Sequence, residues 1–297
     1  MKKIGFIDYY IDEWHANNYP QWIRNSARKA EYDVALAWEE KPLEGKRDLA
    51  QWCGEFSVKP AKSIGEVVEQ CDAIFVLAPG WPEFHERLAD LPLQSGKPVY
   101  LDKPFTTTLA AAQRLFEKAD RHHTPLMSCS ALRYGSALEQ ALAALKNEKI
   151  HFAAARGSGV IRGFLNYGIH QIEMLVMALG TGAQSVMQCG NQRSTVMIVD
   201  YADGRRGVMN LTANQPFQLT IQHGEDKGVA INSMDDFFPR MIDDILKFFA
   251  TGVSPIPREE TLECIAIFEA GLAALNHPDS WVAVPQTKQN PNRPLSA

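Results

Sequence analysis

The chain has 297 residues, of which 45% are hydrophobic and 22% are charged, the balance of a globular protein of about two domains. The net charge is −5, which argues against the basic surface that nucleic-acid binding requires. No apolar run reaches the roughly 18 residues of a membrane span, and the five cysteines form no C-x-x-C pair. We therefore expect a cytoplasmic protein with reduced thiols and with neither a nucleic-acid nor a membrane partner.

The first half of the chain alternates short apolar segments with helical ones. Strands are predicted at 3–7, 33–38, 72–78, 99–101 and 126–129, and helices at 20–30, 63–70, 83–91 and 108–122. Pro20 suits the first turn of a helix, although that helix could also begin near Asp12. Residues 41–60 are predicted as a loop with a short helix. Buried strands that alternate with helices indicate an α/β fold, a Rossmann-like doubly wound parallel sheet.

The pattern changes after about residue 130. Strands are predicted at 151–155, 196–201, 207–212, 219–222 and 228–231, and helices at 136–145, 166–179, 237–250 and 259–275. Ala202-Asp203-Gly204 is typical of a hairpin turn. Strands in series indicate an α+β domain with an open, mainly antiparallel sheet. The expected division is a dinucleotide-binding domain at 1–130 and a substrate and oligomerisation domain at 131–297.

The segment around Lys103 suggests a ligand site. The apolar strand Val99–Leu101 is followed by Asp102, Lys103 and Pro104, and the proline favours extended geometry at Lys103. Ligands of open α/β sheets bind beyond the carboxyl ends of the strands. Lys103 would then point its ammonium into the crevice, whereas the alternative from the local sequence is an ordinary surface lysine.

Several segments in this order resemble the Gfo/Idh/MocA oxidoreductases, the family of glucose–fructose oxidoreductase and inositol dehydrogenase. The segments that carry the resemblance are AIFVLAP at 73–79, GKPVYLDKPF at 96–105, ALRY at 131–134 and NYGIHQIEMLVMALG at 166–180. The resemblance covers nearly the whole chain, and it implies a nicotinamide cofactor and a small-molecule substrate that we expect to be carbohydrate-like. The lysine motif is weak evidence by itself, and the histidine helix at this distance strengthens it.

The resemblance also assigns roles to three residues. Lys103 would stabilise the developing alkoxide, and His170 would accept the hydroxyl proton as general base. Asn166 stands where the family has an acid, four residues before the histidine, and it can hold a substrate hydroxyl or orient the ring. Glu173 is an acid, as is the residue at the second acidic position of the family helix. The alternative for His170 is a helix histidine bound to a backbone carbonyl, and the other histidines are expected to be structural or solvated.

The cofactor loop departs from the family. Where a glycine-rich fingerprint should follow the first strand, the chain has Asp8, Tyr9 and Tyr10, which obstruct the approach of a pyrophosphate and add like charge. Glu39 ends the second strand, where an acid binds the adenosine ribose and favours NAD over NADP; Glu40 is the alternative. The expected cofactor contacts are Asp8, Glu39, Pro79 and Lys103.

Other donors would have to hold the pyrophosphate of a bound NAD. The candidates are the backbone of residues 11–13, the side chains of Asn17 and Asn18, and the loop at 79–81. Residues 8–19 are also rich in aromatic and polar side chains of the kind that bind sugars, although a packed aromatic loop is the slightly favoured interpretation.

These observations favour an NAD(P)-dependent oxidoreductase that acts on a sugar, polyol or related carbinol, with no metal ligand set. Two alternatives stay open: a non-redox ligand-binding or regulatory protein that has lost the dinucleotide site, and a lyase or glycosidase that retains NAD. We also expect a homodimer or homotetramer. Met197, Val199 and Tyr201 alternate along one strand of the predicted hairpin, and Val208, Asn210 and Thr212 along its partner, so one face of the hairpin could pair with a second copy.

Overall fold

The computed structural model describes residues 1–159, 163–190 and 196–286. The described part of the first half contains the strands β1 (Lys2–Asp8), β2 (Tyr32–Glu39), β3 (Lys59–Pro60), β4 (Ala73–Val76), β5 (Val99–Leu101) and β6 (Leu126–Met127). They form one parallel sheet in the spatial order β3-β2-β1-β4-β5-β6. The predicted doubly wound sheet is therefore confirmed.

Helices cover both faces of this sheet, because its strands are apolar on both sides. The helices of the first half are α1 (Trp14–Asn25), α2 (Leu49–Phe56), α3 (Ile64–Gln70), α4 (His85–Leu88) and α5 (Leu109–Arg121). Phe6 and Phe75 pack with α1 and α2 on one face, and Ile7 and Val76 pack with α3 and α5 on the other. Gly5 lets α3 approach β1, since a Cβ there would lie 2.3 Å from Val67.

The second half forms a mixed sheet. Its strands in the described residues are β7 (Ile150–Gly157), β8 (Ala183–Cys189), β9 (Val196–Tyr201), β10 (Arg206–Leu211), β11 (Gln218–His223), β12 (Lys227–Ile231) and β13 (Trp281–Ala283). The order is β12-β11-β7-β10-β9-β8-β13, and β7 and β10 pair in parallel while the other neighbours are antiparallel. The expected open, mainly antiparallel sheet is confirmed.

The helices of the second half are α6 (Ser136–Ala144), α7 (Phe164–Leu179), α8 (Phe237–Thr251) and α9 (Arg258–Ala274). α7 and α9 pack against each other and cover one face of the second sheet. α8 instead joins the first half, where Phe249 packs edge-on against Phe75 with ring centroids 5.2 Å apart. A helix from the second half thus completes the layer that α1 and α2 form on the first sheet.

The structure differs from the predicted elements in several places. α1 begins at Trp14 and not at Pro20, because Glu13 caps its N-terminus with its side chain, and Pro20 lies inside the helix. β3 lies at the end of the predicted loop at 41–60. β8 and β13 were not predicted, since Gln and Ser interrupt the apolar pattern of β8 and β13 is only three residues long.

The predicted pairing face of the hairpin is wrong. β9 and β10 pair so that Val199 lies opposite Gly207 and Met197 opposite Met209. Met197, Val199 and Tyr201 are buried, because Gly207 on their face packs against Leu175 of α7. The opposite face carries a row of partly exposed apolar side chains on neighbouring strands, namely Trp281, Met187, Ile198, Val208 and Ala154.

We predict that the protein is a homo-oligomer that pairs through this outer row. Ile198→Asp should convert it to a monomer at micromolar concentration, because the interface would bury an unpaired carboxylate. Light scattering measures the mass. Val253→Asp is the control, since Val253 is an exposed apolar residue away from the sheet. A monomeric wild type, or an unchanged mass for Ile198→Asp, would contradict the prediction.

Candidate functional site

Lys103 lies at the carboxyl end of β5, next to a buried acid. The Asp102 side chain is fully buried and Lys103 is 9% exposed, so Lys103 is not the ordinary surface lysine that the local sequence allowed. The Lys103 N–H donates to Asp102 Oδ1 at 2.7 Å. The backbone at the lysine is therefore fixed by the carboxylate that precedes it.

Asp102 also pairs with a histidine that the sequence analysis had treated as structural. His15 Nδ1 forms a hydrogen bond and ion pair with Asp102 Oδ2, and the His15 ring stacks on Tyr19 with centroids 5.1 Å apart. Burial alone would raise the pKa of Asp102, but the His15 charge and hydrogen bond lower it below its ordinary value. A buried acid at a strand end needs such a partner, but no sequence spacing identifies it, because the two residues are 87 positions apart.

His170 lies on α7, half-buried, and its partner is a hydroxyl group and not a backbone carbonyl. Nδ1 lies 2.6 Å from Ser130 Oγ, and Phe217 contacts the ring edge at a centroid distance of 5.7 Å. Burial lowers the pKa of His170 well below its ordinary value, and the charges of Lys103 and His15 lower it further. The charges of Lys103 and His15 thus act on His170 in the same direction as burial.

A buried ion-pair network supports Ser130. Glu173, on α7, accepts hydrogen bonds from the Ser130 N–H at 2.8 Å and from the Arg133 guanidinium. Arg133 also pairs with Glu260 of α9 at 2.7 Å. Glu173, the acid at the second acidic position of the family motif, thus positions the loop that contacts His170 through Ser130. Burial raises the pKa of Glu173, and Arg133 opposes that rise.

Asn166 lies on α7, one turn before His170, and is exposed. An amide in this position can donate to or accept from a bound hydroxyl. It carries no charge that would stabilise an imidazolium, so the polar support of His170 comes from Ser130 instead.

Asp8 is buried at the end of β1. Oδ1 accepts hydrogen bonds from the N–H groups of Tyr9 at 2.7 Å and Ala78 at 3.0 Å. Oδ2 is buried and has no hydrogen-bond partner among the described residues. Burial raises the pKa of Asp8 well above its ordinary value, and the nearby charge of Glu13 raises it further. Pro79, which follows Ala78, is half-buried at the edge of the same loop.

The other acids of the first loop are also engaged by the protein itself. Both carboxylate oxygens of Glu39 accept backbone N–H groups, from Ile11 at 3.0 Å and from Leu49 at 2.8 Å. Asp12 binds Arg47 and the Asn17 amide. Glu39 could therefore bind a ribose only through the lone pairs that these two hydrogen bonds leave free.

Most donors expected to hold a pyrophosphate are similarly occupied. The Ile11 N–H binds Glu39, the Glu13 N–H binds the Ile11 carbonyl at 2.8 Å, and the Asn18 amide binds the Trp14 carbonyl at 2.6 Å. Residues 9–13 are thus a packed loop that leads into α1, although Trp14, the first residue of the helix, is 52% exposed.

The N-terminus of α1 nevertheless binds a negatively charged group, which is a side chain of the protein itself. The Glu13 carboxylate accepts hydrogen bonds from the N–H groups of His15, at 2.8 Å, and Ala16. These are the helix-terminal amides that bind the phosphates of a dinucleotide in Rossmann folds. The site therefore fits a diphosphate through these amides, with the Glu13 carboxylate as its present stand-in.

The chain is similar to known proteins in part of its sequence and in its fold. The sequence profile of the oxidoreductase family with an NAD-binding Rossmann fold, Gfo/Idh/MocA, matches residues 18–129. The first half of the chain is therefore similar to this family. The match begins after the first βα loop, the part of the chain in which the glycine fingerprint is replaced. A search of curated protein sequences found no match.

Solved structures of similar fold cover almost the whole chain. A probable dehydrogenase from Thermotoga maritima is 15% identical with a TM-score of 0.77, covering 95% of this chain and 98% of its own. The WlbA dehydrogenase from Bordetella pertussis, in complex with NADH and UDP-GlcNAcA, is 16% identical with a TM-score of 0.77 and coverages of 96% and 99%. Scyllo-inositol dehydrogenase from Lactobacillus casei, with NAD(H) and scyllo-inositol bound, is 15% identical with a TM-score of 0.77 and coverages of 95% and 99%. At this identity the likeness shows the shared fold.

Within the described residues, no helix has the length and apolar character needed to cross a membrane, and no cluster of three or more acids, histidines or cysteines could hold a metal ion. All five cysteines are free thiols.

The structure changes what is expected of Asp8→Asn. From the sequence, removal of one like charge should tighten NAD binding by about 1 kcal/mol, roughly fivefold. Because the raised pKa keeps the Asp8 carboxyl protonated at lower pH, the gain should be small there and approach fivefold as pH rises and the carboxyl ionises. Calorimetric titration with NAD over a pH series, at low and high salt, measures it.

Asp72→Asn is the matched control, because Asp72 binds the opposite end of β1 through the Lys3 N–H. An equal gain at every pH would contradict the protonated state of Asp8. Weaker binding of a sugar with no change for NAD would instead assign Asp8 to a sugar site.

Proposed function

We propose that this chain is an NAD-dependent oxidoreductase that transfers a hydride between nicotinamide and a hydroxyl-bearing carbon of a sugar, polyol or related carbinol. The observation that carries the proposal is the loop after β6: Ser128 Oγ donates to the Asp102 carbonyl at 3.5 Å, and Ser130 Oγ lies 2.6 Å from His170 Nδ1. One loop thus adjoins both the strand end that bears the buried Lys103 and the histidine of α7. The match of residues 18–129 to an oxidoreductase family with an NAD-binding Rossmann fold supports it.

His170 is the proton acceptor in this proposal. Its lowered pKa keeps the imidazole neutral near pH 7, so one ring nitrogen carries a lone pair. If Nδ1–H donates to Ser130 Oγ, Nε2 is the nitrogen that can take the proton of a substrate hydroxyl. Glu173 binds the backbone N–H of Ser130 and so positions the Ser130 hydroxyl. The Ser130 hydroxyl in turn orients the His170 ring.

Lys103 stabilises the oxygen from which the proton leaves. Its ammonium is mostly removed from water, and an electrostatic interaction with a developing alkoxide is stronger in such a site than in solvent. Asp102 holds the lysine backbone and bears the balancing negative charge. The charge of Lys103 therefore stays in place while the substrate oxygen becomes negative.

The α1 amides, the loop at Pro79 and the region around Lys103 would hold the cofactor. When bound, NAD supplies the hydride acceptor for the carbinol carbon. NAD rather than NADP is proposed because the first loop is already rich in acids, which would repel a further phosphate. The structural neighbours with NADH or NAD(H) bound support this choice.

A polyhydroxylated substrate fits the polar groups available around His170. Asn166 is exposed one turn before His170 and offers an amide to a hydroxyl. Two structural neighbours carry scyllo-inositol and UDP-GlcNAcA, respectively. We therefore place inositols and sugars first in a substrate panel.

Lys103→Met should raise the pKa of His170 part of the way back to its ordinary value. The reason is that burial, the largest cause of the low pKa, remains while the lysine charge is removed. Histidine NMR titration measures this without any substrate. Lys146→Met, at an exposed position, is the control. An unchanged His170 titration would mean that the two residues do not share a cleft. A distance of more than about 12 Å between the side-chain nitrogen atoms of Lys103 and His170 would mean the same, because a small substrate and a water could not bridge it.

His170→Ala should lower turnover by at least about 100-fold, the contribution typical of general acid–base catalysis. Thermal unfolding should change little, because His170 is only half-buried. Turnover is measured with NAD and the panel of inositols and sugars, and exposed His277→Ala is the control. Wild-type activity that survives in His170→Ala would remove this residue from the mechanism.

A further inference from the structure

The negatively charged group at the N-terminus of α1 is the side chain of Glu13. Glu13 is only 7% exposed, and its carboxylate occupies the amides of His15 and Ala16. α1 is 12 residues long, so its dipole adds partial positive charge at these amides. A carboxylate thus sits on the donors that a cofactor diphosphate would need.

A second buried group in the same loop lacks a partner. Asp8 Oδ2 is buried without a hydrogen bond among the described residues, and Asp8 is close enough to Glu13 for their charges to interact. An unpaired buried oxygen is costly. Because burial raises its pKa and favours the protonated carboxyl, Asp8 Oδ2 can donate a hydrogen bond to an oxygen of a ligand that takes the place of Glu13.

We propose that Glu13 competes with the diphosphate of the cofactor for the α1 amides and sets the affinity of this chain for dinucleotides. The inference rests on the proposed function, since it names a determinant of the same cofactor site. Two anions cannot use the same two N–H groups, so a diphosphate binds there only when Glu13 has left. The apparent affinity is the intrinsic affinity multiplied by the fraction of molecules in that open state.

The strength of a helix cap gives the size of the effect. Replacing a good N-cap side chain typically costs about 1–2 kcal/mol, which corresponds to an open fraction of roughly 1 in 5 to 1 in 30. Removal of the Glu13 carboxylate should therefore tighten dinucleotide binding by roughly 5- to 30-fold. Since the second charge in the loop, Asp8, remains in such a variant, the gain reports Glu13 alone.

Glu13→Ser is the main variant, because a serine hydroxyl still caps the helix but is too short and uncharged to act as a competing anion. Glu13→Gln is the second variant, which keeps the length and removes the charge. Asp48→Ser is the matched control, since Asp48 is the acidic N-cap of α2 and does not touch the α1 amides. Thermal unfolding of all three variants establishes that they are folded.

The experiment measures equilibrium binding of NAD, NADH and inorganic pyrophosphate by calorimetry, together with hydrogen exchange of the His15 and Ala16 amides. We expect Glu13→Ser to bind all three ligands roughly 5- to 30-fold more tightly than wild type, with Asp48→Ser unchanged. Pyrophosphate should slow exchange at the two amides in Glu13→Ser.

Two results would overturn the inference. If wild type and both Glu13 variants bind NAD with the same affinity, Glu13 does not compete, while the proposed function stands. If neither wild type nor any variant binds NAD, NADH or pyrophosphate, the α1 amides are not a phosphate site, and the NAD dependence of the proposed function fails as well.

Discussion

The first βα connection is governed by one constraint: backbone N–H groups removed from water must find acceptors. A glycine-rich loop can leave these groups for a phosphate. Here carboxylates of the chain take them instead, with Asp8 on Tyr9 and Ala78, Glu39 on Ile11 and Leu49, and Glu13 on His15 and Ala16. Each acid is buried at a cost that its hydrogen bonds offset. The loop is ordered by its own side chains, so its shape does not require a cofactor.

The acids of the first loop also act on the charged groups at the end of β5. Asp102 sits within reach of the fields of Asp8 and Glu13, and it stays ionised because His15 and Lys103 face it. Burial lowers the pKa of His170, and the charges of Lys103 and His15 lower it further. A neutral histidine is the form that can accept a proton from a hydroxyl. The acids of the first loop and the chemistry at His170 are therefore linked through Asp102.

Features set by local pattern could be predicted from the sequence. The strand Val99–Leu101 was found at its full length because an apolar run meets an acid and a proline, and α7 was found because its apolar spacing ends at Gly180. Features set by distant contacts could not. The start of α1 depends on a glutamate that caps it with its side chain, and the role of His15 depends on an acid 87 residues away. The buried face of the β9–β10 hairpin depends on which side α7 and α9 cover, which strand alternation does not reveal.

Separate sets of hydrogen bonds support His170 and the N-terminus of α1. Around His170, the Arg133, Glu173 and Glu260 network ties Ser130, α7 and α9 together. Around α1, loop carboxylates bind backbone amides. Since these two sets share no hydrogen bond in the described structure, a change at the α1 amides leaves the support of His170 intact. A hydroxylated ligand that lacks phosphate could therefore bind beside His170 while Glu13 remains on α1, and only the cofactor has to displace a side chain. A substitution at Glu13 is therefore expected to change cofactor affinity directly, and to reach His170 only through the charges of His15 and Asp102.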